Sequence, residues 1–61
     1  MTKKHFEAMA AAFVEVRAIQ DIQESAEARA ALDMLAMTLS RTCAESNPRF
    51  DKGRFIRACG V

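Results

Sequence analysis

The chain has 61 residues, 51% of them hydrophobic, and a formal net charge of +1. A chain this short hides only ~60% of the surface its unfolded form exposes, so residues 1–61 make one small domain with a thin core. Disulfides, a metal, oligomerisation or very regular helix packing are the usual ways such a domain gains stability. No uncharged stretch exceeds the length of Ala8 to Val14, far short of the roughly 18 apolar residues of a membrane span, so no membrane-spanning helix is expected.

The opening Met1 to Glu7 has basic residues but meets Glu7 where the apolar core of a secretory signal would begin. A reducing cytoplasm is therefore the expected location, with Cys43 and Cys59 read as small buried hydrophobes; a Cys43–Cys59 bridge is the alternative. Abundant alanine with two glycines, one proline and no tyrosine or tryptophan is a helical composition, so the fold class is all-α.

The first predicted helix runs from about Lys3 to Ile19. Phe6, Met9, Phe13 and Val16 recur there at helical spacing, with Ala10 and Ala12 around them and Thr2 as a candidate N-cap. Asp21-Ile22-Gln23-Glu24 has the form of a capping box and starts a second helix, about Ile22 to Glu45. No glycine or proline separates the two segments, so one bent helix running through residue 20 is the alternative.

Ala28, Leu32, Leu35, Leu39 and Thr42 form a coiled-coil-like seam on the second helix, widened by Ala31, Ala36 and Cys43. Met34 and Met37 lie off that seam. Apolar residues on a second face call for a further partner, supplied either by the third helix or by another copy of the chain. A homo-oligomer is expected, with Leu32, Met34, Leu35, Met37 and Leu39 at its interface.

Ser46-Asn47-Pro48 ends the second helix, because proline pushes the residue before it out of the α region. The third helix, about Lys52 to Cys59, takes Asp51 as N-cap, a staple of Phe50 on Phe55, and Gly60 as its stop. Gly53 in its first turn costs about 1 kcal/mol relative to alanine, so Phe50, Phe55, Ile56 and Cys59 must hold it by contact. The expected protomer is an antiparallel helical hairpin capped by this short third helix.

The catalytic inventory is poor. His5 is the single histidine and is read as a surface residue. Cys43, Cys59 and His5 lack the close pairs of a zinc site, and no glycine-rich phosphate loop occurs. Carboxylates such as Asp21, Glu24 and Glu27 sit at helical neighbour spacing and are explained by capping and solvation. Neither an enzyme nor a metal or cofactor is expected.

The one constellation of interest is cationic. Asp21, Glu24, Glu27, Asp33 and Glu45 make the middle acidic, whereas Arg49, Lys52, Arg54 and Arg57 crowd around the third helix with Asp51 as their near acid. Arginine's planar fork suits phosphate or carboxylate, and the helix start adds backbone N–H groups, so a small anion is a candidate ligand. Solubilising a short helix and pairing with the acidic second helix explain the same residues without a ligand. DNA is a further anionic partner, but the chain is nearly neutral overall and its phenylalanines sit at core positions.

The stretches Thr2 to Ala10 (TKKHFEAMA) and Asn47 to Gly60 (NPRFDKGRFIRACG) resemble the opening and closing stretches of short helical proteins encoded by bacteriophages and prophages. They cover a little over a third of the chain. That family has no established activity, so no functional residue carries over. The resemblance implies a setting: an accessory protein in the cytoplasm of an infected bacterium that binds a host protein, counters a host defence, or sequesters a small nucleotide-like anion in an oligomer. The alternative is a small DNA-binding regulator that uses the basic third helix.

Overall fold

The computed structural model describes residues 3–61, which form four helices and, among the described residues, no strand: α1 (Lys3–Arg17), α2 (Gln20–Gln23), α3 (Ala26–Ser46) and α4 (Lys52–Ala58). The all-α class is as expected; the Thr2 cap lies outside the described residues. The molecule measures 36 × 18 × 13 Å. Its long axis follows from α3, whose 21 residues at a rise of ~1.5 Å each span ~31 Å.

One stripe of α1 faces inward: Ala10 and Phe13 are buried, and Phe6 and Met9 pack against the core. Val16, expected on this stripe, is 37% exposed, and Arg17 takes the inward place at the end of the helix. The 3.6-residue period brings residue 17, four after Phe13, closer to the Phe6–Phe13 line than residue 16.

The expected boundary near residue 20 is a break rather than a bend. Ala18 and Ile19 close the last turn of α1 through short-range bonds to the Glu15 and Val16 carbonyls, and Ile19 is extended. The expected second helix is then two helices. Asp21 does not cap it: it sits inside the single turn of α2, whose N-cap Ile19 has no side-chain bond to offer. Ser25 is the working cap, its Oγ accepting from the Ala28 N–H at 3.1 Å, and α3 starts at Ala26.

The inward seam of α3 is Leu32, Ala36, Leu39, Ser40 and Cys43. Leu35 and Thr42, expected in it, are exposed, as is Ala31. The helix is therefore turned by roughly 60°, little more than half a residue, from the leucine-based seam, so that Leu32 and Leu39 stay inward. It presents small buried residues to its neighbours and leaves several large ones outside. Ser40 is buried at no polar cost because its hydroxyl donates to the Met37 carbonyl at 2.7 Å.

The turn after α3 uses Asn47, whose Oδ1 accepts from the Arg49 N–H and whose carbonyl accepts from the Phe50 N–H. Asp51 caps α4 as expected, accepting from the Arg54 N–H at 3.0 Å. The Phe50 and Phe55 rings meet at 5.4 Å, completing the staple. Gly60 stops the helix at φ 88°, a left-handed conformation that suits glycine, and the Val61 N–H returns to the Ile56 carbonyl.

Helix α4 lies against both α1 and α3. Its Phe55 and Cys59 join Ala10, Phe13 and Ala36 in one core, with Phe13 and Phe55 edge to face at 6.5 Å. Both cysteines are free and buried, as expected. Burial pushes the Cys59 thiol above its ordinary value, with Arg17 pulling the other way.

Arg17 ties three helices together. Its Nε donates to the Cys59 carbonyl at 2.6 Å, and its Nη2 reaches Asp33 on α3 at 2.7 Å. This clamp occupies the α4 C-terminal end, where a cation also complements the carbonyl dipoles.

Candidate functional site

Helix α1 and the Asn47–Phe55 region enclose an open cleft of about 300 Å³. Its floor is apolar: Phe6 from α1, Phe50 from the turn and Phe55 from α4, with Ala10 and Ala58 between them. The Phe6 and Phe50 rings lie 4.5 Å apart and tilted, so the floor is a continuous aromatic surface rather than separate side chains. This follows from local structure, because the staple fixes Phe50 on Phe55 and the α1 stripe brings Phe6 onto Phe50.

The rim is charged. Lys3, Arg49 and Arg54 stand against Glu7 and Asp51. Among the described residues, neither Arg guanidinium makes a hydrogen bond or ion pair within the chain, whereas Asp51 Oδ1 accepts from the Arg54 N–H. The cations are thus available to a ligand, and one of the two acids is partly engaged by backbone. A smaller cleft of about 200 Å³ shares Phe6 and Asn47 with the first and is lined further by Thr42, Cys43 and Ser46.

Of the four cations singled out in the sequence, Arg49 and Arg54 line the cleft, while Lys52 and Arg57 are exposed elsewhere on α4. Lys3 and Glu7 were not singled out. They join the site only because α1 folds onto the turn, a long-range contact that no local spacing encodes. The backbone N–H groups at the start of α4 do not add an anion site, because the helix has seven residues and Asp51 already serves the Arg54 N–H.

The five residues expected at an oligomer interface divide into two groups. Leu32 and Leu39 are half-buried and pack against the core of their own chain. Met34, Leu35 and Met37 are 68%, 50% and 49% exposed.

His5 is exposed on α1, whereas Cys43 and Cys59 are buried. Among the described residues no group of three His, Cys, Asp or Glu side chains is placed to hold a metal ion, and no helix is long and apolar enough to cross a membrane. No protein-family model, curated protein or solved structure matches the chain.

Proposed function

We propose that the chain is a non-catalytic, phage-type accessory protein that binds a small anionic ligand with a flat apolar portion in the α1–α4 cleft. The observation that carries this reading is the pairing of an aromatic floor with two unengaged guanidinium groups. Rings stack on flat ligand bodies, and guanidinium forks hold phosphate or carboxylate oxygens. Few convergent polar groups around an apolar pocket of this size are the usual make-up of a small-ligand site.

Charge on the rim narrows the ligand class. Three cations against two carboxylates favour a ligand with one anionic group over a polyanion, and Glu7 suits an amino or hydroxyl donor on the same molecule. A nucleoside monophosphate has all these parts. A homo-oligomer of hairpin protomers sequestering several ligands is the assembly that fits the exposed face of α3. Host-protein binding through the same cations, and a small DNA-binding regulator, are the other readings. DNA binding predicts affinity that falls steeply with salt.

Titration of the protein with adenosine and guanosine monophosphates, followed by NMR, tests the reading. Shifts are expected at Phe6, Phe50 and Phe55 and at Lys3, Arg49 and Arg54, with binding weakened about tenfold or more by Arg49→Glu with Arg54→Glu. Shifts confined to Lys52 and Arg57, or binding unchanged in the double variant, would remove the cleft from the function.

A further inference from the structure

Along the outer side of α3, Glu27, Met34 and Arg41 recur at heptad spacing, and all three are exposed. The only charge between Arg29 and Arg41 on this helix is Asp33, which is held by Arg17. Ala30, Ala31, Met34, Leu35, Met37 and Thr38 therefore make a continuous exposed and uncharged face, with an acid at one end and a base at the other. An apolar face with polar ends is the usual form of an interaction surface.

We propose that this face pairs with the same face of a second copy, antiparallel, about a two-fold axis at Met34. Charge decides the direction. Parallel alignment sets Glu27 on Glu27 and Arg41 on Arg41, two like-charge contacts. Antiparallel alignment about Met34 sets Glu27 against the copy's Arg41 and does so twice. The same register brings Ala30 opposite Thr38 and Ala31 opposite Met37, so small residues meet larger ones and the backbones can approach. Such an interface is isologous and closes at two copies.

None of the lining of the larger, α1–α4 cleft comes from residues 26–46, so the paired face is separate from that proposed ligand site in each copy. Pairing rests on the oligomer reading above and adds to it a surface, a direction and a register.

Native mass spectrometry and disulfide trapping test the pairing on the full chain. The wild-type protein is expected at twice the protomer mass. Arg41→Glu should raise the dimer dissociation constant about tenfold, and adding Glu27→Arg to it should restore pairing. Under mild oxidation Met34→Cys should cross-link to its copy, because opposing Cα atoms at the axis fall within disulfide reach, whereas Ala30→Cys and Thr38→Cys should cross-link only when mixed. Because Met34 is 68% exposed, its variant is expected to fold, which circular dichroism checks. Cross-links at all three single positions would show parallel pairing and overturn the proposal. A doubled mass without any of these cross-links would place the interface elsewhere; a protomer mass throughout would overturn the oligomer reading as well.

Discussion

Replacing Arg17 by methionine removes the clamp at the point where three helices meet while keeping an apolar stem of similar length. The Arg17 side chain is 17% exposed, and its two bonds, 2.6 Å to the Cys59 carbonyl and 2.7 Å to Asp33, are both charge-assisted. Asp33 is 39% exposed, so solvent screening limits that pair to about 0.5 kcal/mol. The bond to the Cys59 carbonyl is better shielded and contributes about 1.5 kcal/mol. Arg17→Met should therefore lose about 2 kcal/mol, a large share of the roughly 3–5 kcal/mol that a domain of this size holds. At ~8 °C per kcal/mol for the smallest domains, the midpoint should fall by about 15 °C. Thermal and urea melts followed by circular dichroism measure this at fixed protein concentration, since self-association also shifts the midpoint. A double-mutant cycle with Asp33→Asn should return a coupling of only about 0.5 kcal/mol. A variant melting within about 2 °C of wild type would refute the clamp.

The two glycines should respond in opposite directions. A Cβ at Gly53 would meet Arg57 Nη1 at 3.5 Å and Asp51 Oδ1 at 3.7 Å, ordinary contacts, so Gly53→Ala should stabilise by about 0.5–1 kcal/mol in a urea melt. At Gly60 the φ of 88° and an approach of 3.0 Å to Arg17 Cδ make Gly60→Ala cost about 1–2 kcal/mol in the same assay. Cys59 gives the chain an alkaline limit. Above the ordinary thiol range, ~8.5, the unfolded chain releases this proton while the folded chain keeps it, so stability is whole below that range and falls above it. Urea melts from about pH 7 to 10 should show a shallower loss in Cys59→Ala than in wild type. Iodoacetamide should leave both buried thiols unmodified at neutral pH until urea unfolds the chain.

Local chemistry made α4 legible in advance, since Asp51, Phe50, Phe55 and Gly60 each act through near neighbours. The α1 stripe through Phe6 and Phe13 was legible from its period. Two features of α3 were not. Asp21 has the form of a cap, but the extended Ile19 and the working cap at Ser25 divide the segment differently; Ser25-Ala26-Glu27-Ala28 carried that signal locally. Ala36 and Cys43 belong to the stripe the sequence predicts, but contact with α1 and α4 also turns Ser40 inward and leaves Leu35 and Thr42 outside. Which face of a helix turns inward depends on the size of what it meets, and that information lies on other elements. The candidate site shows the same division: Arg49 and Arg54 were visible as a basic cluster, but Lys3, Glu7 and the aromatic floor become a site only through the approach of α1 to the turn.

The most direct test of the ligand reading is native mass spectrometry of the protein taken from bacterial lysate, run beside the Arg49→Glu, Arg54→Glu double variant. Wild-type protein is expected to carry the added mass of a small anionic compound, in equal number to the protomers, and the variant to lose it. Wild-type protein that carries no added mass and takes up no nucleoside monophosphate on titration would contradict the ligand reading.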